Sequence, residues 1–154
     1  KRAEGEEAFL LKTYNLEHPS PAYHCGGLMA VYAYIQQIAI KDVNAGVIQR
    51  YYPSASRTPA MVLGRLSCLC NYHLAKLEKT RYFEKLLTEL YGALGDEIPV
   101  TLSLEEQAYF ALGYNLKWGE LHMPKAKKEM GLTDENEGET EIEQAVEKEE
   151  LEKQ

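Results

Sequence analysis

The sequence predicts an all-α fold: a compact bundle of about five helices over residues 1–123, followed by a charged acidic tail over 124–154. Three observations carry this. Apolar residues recur at spacings of three and four between Ala22 and Trp118, the period of helices that turn a face inward. Two helix starts are written into the residues, Thr58-Pro59 and Ser103-x-x-Glu106. No alternating β pattern occurs outside a few residues around Ile98 to Leu102. At 154 residues, one domain with a real core is expected.

A first helix is expected from Glu6 to Tyr14, ending before the His18-Pro19-Ser20-Pro21 break. The next runs from about Ala22 to Lys41. Leu28, Val31, Ile35 and Ile38 keep helical spacing there, while Met29, Tyr32 and Ile40 add apolar surface on other sides. A helix apolar nearly all round belongs in the centre of a bundle. Asn44 to Tyr52 reads as a short helix stopped by Pro53, with Pro53 to Ser56 as a loop.

Thr58 offers an N-cap oxygen, and Pro59 follows at the first helical position, where a missing N–H is harmless. The helix that follows aligns Leu63, Leu66, Cys70, Leu74 and Leu77 on one face. Arg65, Tyr72, Lys76 and Lys79 fall opposite, within about 60° of one another. Phe83, Leu86, Leu87, Leu90 and Leu94 mark another helix, weakened at its end by Gly92 and Gly95. Ser103 and Glu106 then form a capping box, and Leu104, Ala108, Ala111 and Trp118 carry a last helix to about Met123. Leu28, Val31, Ile35, Leu66, Leu74, Leu87 and Trp118 are the expected core.

The net charge of −7 is uneven. Pro124 to Gln154 carries five lysines and eleven acids, a net of −6, so the body is nearly neutral. From Thr133 onward the tail is acid-rich without an aromatic, a composition that predicts disorder. Three cysteines without a secretory leader predict reduced thiols in a cytoplasm. The longest apolar run, Leu28 to Ile35, falls well short of the roughly 20 residues of a membrane span.

Catalytic motifs are missing: the sequence has no phosphate loop, nucleophile elbow or H-E-x-x-H. An enzyme is not expected, and neither a cofactor nor a metal is called for. Cys68 and Cys70 would point about 160° apart on a helix, unlike the paired ligands of a structural zinc. His18, His24, His73 and His122 are scattered and read as surface or boundary residues.

Nucleic-acid contact is the chemistry that remains. Arg65, Tyr72, Lys76 and Lys79, continuing to Arg81 and Lys85, mix cations with an aromatic ring, and Arg50 and Arg57 flank the Pro53–Ser56 loop. Such groups hold phosphates by charge, without reading sequence. The alternative is a solvated face with i, i+4 partners such as Lys85 and Glu89.

Five segments of Pro21 to Trp118 go beyond this: PAYHCGGLMAVY, Asn44 to Arg50, Ser54-Ala55-Ser56 with Thr58-Pro59, NYHLAKL, and LSLEEQAYFALGY. In this order and at these gaps they resemble the C-terminal region of the large subunit of the type I-C CRISPR effector complex, Cascade. Related systems produce that region separately as a small subunit. Gly27 departs from the pattern, standing where an arginine is expected, and the acidic tail has no counterpart in it. The resemblance implies a non-catalytic helical component in a prokaryotic cytoplasm, bracing the guide RNA–target DNA hybrid and contacting the displaced DNA strand. Its implied partners are the Cascade backbone subunits, the large subunit and other copies of the small subunit, with no membrane. A helical protein–protein scaffold without nucleic-acid contact is the alternative.

Overall fold

The computed structural model describes residues 13–40, 46–95 and 97–123. Six helices lie among the described residues: α1 (Pro21–Ala39), α2 (Val47–Arg50), α3 (Tyr52–Arg57), α4 (Pro59–Leu74), α5 (Arg81–Leu94) and α6 (Leu104–Leu121). No strand occurs among them. The expected helix at Glu6 to Tyr14 lies outside the described residues except for Thr13 and Tyr14, which are not helical. The tail, 124–154, lies outside them as well.

Pro21 opens α1 at the first turn, where its fixed φ suits the helix. Every residue from Ala22 to Gln36 is buried, as a helix apolar on all sides requires. This is the central element: α4, α5 and α6 all pack on it. Helix α6 runs in the same direction as α1, with Tyr34 of α1 meeting the rings of Trp118 and His122. On α5, Phe83, Leu86, Leu87, Leu90 and Leu94 are buried, and Gly95 ends the helix at a φ of 68°, open to glycine without strain.

The capping box is present. Glu106 N–H donates to Ser103 Oγ, and Ser103 N–H donates to Glu106 Oε1, each at 3.2 Å.

Three expectations are corrected. Pro53 does not stop a helix; it sits in the first turn of α3, and Ser54 to Ser56 are helical. Pro lacks an N–H that the first turn leaves unpaired anyway, so one helix ends and another starts at the same residues. Thr58 precedes α4 without capping it by its side chain, because its hydroxyl donates backward to Ser54 O at 3.1 Å. Helix α4 ends at Leu74, not near Lys79: Lys76 N–H and Leu77 N–H donate three residues back, to His73 O and Leu74 O. That tight turn brings Leu77 against the core.

The sequence left open which side of α6 is inward. Phe110, Gly113, Lys117 and Leu121 are buried, whereas Leu104 is 84% exposed and Ala108 is also exposed. Both sets keep helical spacing, so periodicity alone did not choose between them. Of the expected core, Leu28, Val31, Ile35, Leu66 and Leu87 are buried, while Leu74 and Trp118 are half-buried against it. The pattern near Ile98 to Leu102 is irregular chain, bent at Val100 and Thr101, and tied to the start of α4: Ala60 N–H donates to Pro99 O and Leu102 N–H to Arg57 O.

Candidate nucleic-acid interface

Helix α4 buries Val62, Leu63, Leu66, Cys70 and His73. Its other side presents Met61, Arg65, Cys68 and Tyr72, all exposed. Lys76 lies in the turn past the helix end, yet its Nζ sits 4.3 Å from the centroid of the Tyr72 ring. The ring quadrupole draws the ammonium there, so Arg65, Tyr72 and Lys76 remain one row although the helix stops before Lys76. Lys79 is exposed but falls between α4 and α5, outside that row. Arg81 and Lys85 are exposed on α5, one turn apart on its outer side. Arg50 and Arg57 are exposed in the last turns of α2 and α3, where a cation also favours the carbonyl end of a helix.

Among the described residues, none of these seven cations is in an ion pair. The one ion pair there is Lys117 to Glu120 at 3.3 Å; the i, i+4 pairing of Lys85 with Glu89 is not formed.

A groove of about 340 Å³ lies between α3 and α4. Val62 and Leu66 form its buried floor, and Tyr51, Met61 and Arg65 its exposed rim. Sequence reasoning missed Tyr51 and Met61. The available signal was position: Tyr51 adjoins Arg50, and Met61 precedes Arg65 by one helical turn. With Tyr51 and Tyr72 exposed near Arg65, the surface offers flat rings as well as charge.

A second polar cluster holds the chain before α1. The reading of His24 and His73 as surface or boundary residues is corrected, since both are 2% exposed. His24 Nε2–H donates to His18 O at 2.6 Å and Tyr14 Oη donates to His24 Nδ1 at 2.7 Å, which satisfies a neutral imidazole. Tyr23 stacks between Tyr14 and His18. Lys117 is buried with its Nζ 4.5 Å from the Tyr14 ring centroid and its charge met by Glu120. Gln36 Nε2 donates to His73 Nε2 at 3.2 Å, and Gln36 Oε1 accepts from Ile48 N–H at 2.9 Å. His73 Nδ1 has no partner among the described residues.

Burial lowers the pKa of His24, helped by the charges of His18 and Lys117, and lowers that of His73, with Lys76 adding to the effect. Burial pushes the Cys25 and Cys70 thiols up to about 12. Among the described residues, no three His, Cys, Asp or Glu side chains gather as metal ligands, and no helix is long and apolar enough to cross a membrane.

No curated protein matches the chain. A family model described as CRISPR-associated protein (Cas_Csd1) matches residues 2–118, taking in α1 to α5 whole and α6 as far as Trp118. The chain belongs to this Cas_Csd1 family of CRISPR-associated proteins.

Proposed function

We propose that the chain is a non-catalytic, small-subunit-type component of a type I-C Cascade complex, working in a prokaryotic cytoplasm. In this reading it corresponds to the C-terminal region of the large subunit. It braces the guide RNA–target DNA hybrid and gives the displaced strand a surface to follow. The observation that carries the reading is the row of Arg65, Tyr72 and Lys76, whose cations face outward without a carboxylate partner among the described residues. Family membership supplies the setting.

The physical demand on such a surface is modest. Exchange of a DNA duplex for an RNA–DNA hybrid is nearly balanced, so a few backbone contacts tip it. Cations supply those contacts without base preference, and exposed tyrosines stack on bases of any identity. A second reading, a protein–protein scaffold, is favoured by Val100 and Leu104, which are 73% and 84% exposed. Affinity purification of the tagged chain from its native host separates the two. Guide RNA and backbone subunits are expected to co-purify. Recovery of protein partners without RNA hands the case to the scaffold.

A further inference from the structure

The groove between α3 and α4 joins an apolar floor to exposed cations. Its floor is apolar and its rim carries Arg65. Arg50 and Arg57 adjoin the lining residues Tyr51 and Thr58 in sequence and are exposed. None of the three arginines has a carboxylate partner among the described residues. Against them stands the segment 133–154, with ten acids, two lysines and the aliphatic residues Ile142, Val146 and Leu151.

We propose that this acidic segment docks in the groove of its own chain. Its carboxylates meet Arg50, Arg57 and Arg65, and its few aliphatic side chains cover the Val62–Leu66 floor. Its length permits this. Tyr52, next to Tyr51, packs on Phe110 and Tyr114 of α6. The end of α6 at Leu121 is therefore roughly 10–17 Å of helix from the neighbourhood of the groove. Residues 124–133 alone span up to about 33 Å when extended. Charges of opposite sign held on one chain attract within the Debye length, about 8 Å at 0.15 M salt and about 3 Å at 1 M. A docked segment covers a surface assigned above to nucleic acid, so it acts as a competitor that incoming strands displace. That consequence rests on the proposed function; the docking does not.

Cys68 provides the test in the full chain. It is exposed on α4 near Arg65 and Leu69, whereas Cys25 and Cys70 are buried. A nitroxide attached to Cys68 is expected to broaden the amide signals of residues 133–154 at low salt. Those signals are expected to recover at 1 M salt, and also in the Arg50→Gln, Arg57→Gln, Arg65→Gln triple variant. Full intensity at low salt overturns the proposal. Broadening that survives both high salt and the triple variant overturns it as well. Where docking is seen, a single-stranded oligonucleotide is expected to release the segment. Docking that an oligonucleotide leaves untouched supports the proposal and counts against the nucleic-acid reading of the groove alone.

Discussion

Gly26 and Gly113 let the backbones of α1 and α6 touch. A Cβ on Gly113 would lie 2.0 Å from Tyr23 O, and one on Gly26 would lie 2.0 Å from Phe110 O. Both neighbours are backbone atoms inside helices, which do not step aside as a side-chain tip does. Gly27 serves a different contact, since a Cβ there would meet the Tyr14 ring at 2.6–2.8 Å. The tyrosine seated there hydrogen-bonds His24.

Gly113→Ala is therefore expected to destabilise the protein by more than the ~1–3 kcal/mol usual for overpacking. Gly64 and Gly119 are helical glycines whose Cβ would meet nothing within 4 Å among the described residues. Changing either to Ala is expected to stabilise by about 0.5–1 kcal/mol, through the lower entropy of the unfolded chain. Denaturant titrations of the three variants check this, and a neutral Gly113→Ala would remove the backbone contact from the account of the core.

Core substitutions are expected to follow burial in the structure rather than hydrophobicity in the sequence. Leu66→Ala should cost about 2–5 kcal/mol. Leu104→Ala should fall within about 0.5 kcal/mol of wild type, because its side chain stands in solvent. Equal losses at the two positions would mean that α6 has turned its other side inward.

How much of this was legible depended on how local its cause was. The Ser103–Glu106 capping box was legible because both hydrogen bonds close within one turn. The burial of α1 was legible because every side of that helix is apolar. The inward side of α6 was not, because Gly113 matters only once α1 lies against it. Lys117 was hidden for the same reason, its burial depending on Tyr14 and Glu120. The end of α4 was misplaced because Leu77 leaves the helix to reach the core. In the interface the residue types were legible. The stacking of Lys76 on Tyr72 and the groove beneath Tyr51 required the fold.

Stability should fall in mild acid. His24 and His73 have folded pKa values below the ordinary value of about 6.5, so the unfolded chain binds their protons first. Their contribution is complete above about pH 6.5 and is lost as the pH falls from there towards the lowered folded values. Protonating His24 would abolish the acceptor for Tyr14 Oη, and protonating His73 would set an N–H against the Gln36 amide. The denaturation midpoint is expected to drop between pH 7.5 and 5, less steeply in His24→Gln. A midpoint that rises on acidification would reverse the assignment.

Thiol chemistry should separate the three cysteines. Cys25 and Cys70 are buried with thiols pushed up to about 12, which leaves almost no thiolate near neutrality. Cys68 is exposed. A disulfide reagent at pH 8 is expected to titrate one thiol quickly in the folded protein and all three in denaturant. Fast reaction of two or more in the folded state would contradict the packing of α1 against α4.

The most direct measurement concerns the outward cations. Arg65→Ala, Lys76→Ala and Lys79→Ala together alter exposed positions, so the fold and assembly of the complex should survive. R-loop formation by the assembled complex is then followed across a salt series, on targets of different sequence. The variant is expected to open DNA less well on every target, with a log–log salt slope shallower by about 0.7 for each phosphate of the displaced strand left without its cation. Lys79, standing off the row, is expected to contribute less than Arg65 or Lys76 when changed singly. A triple variant that opens DNA as well as wild type at every salt concentration would reduce this surface to a solvated helix face.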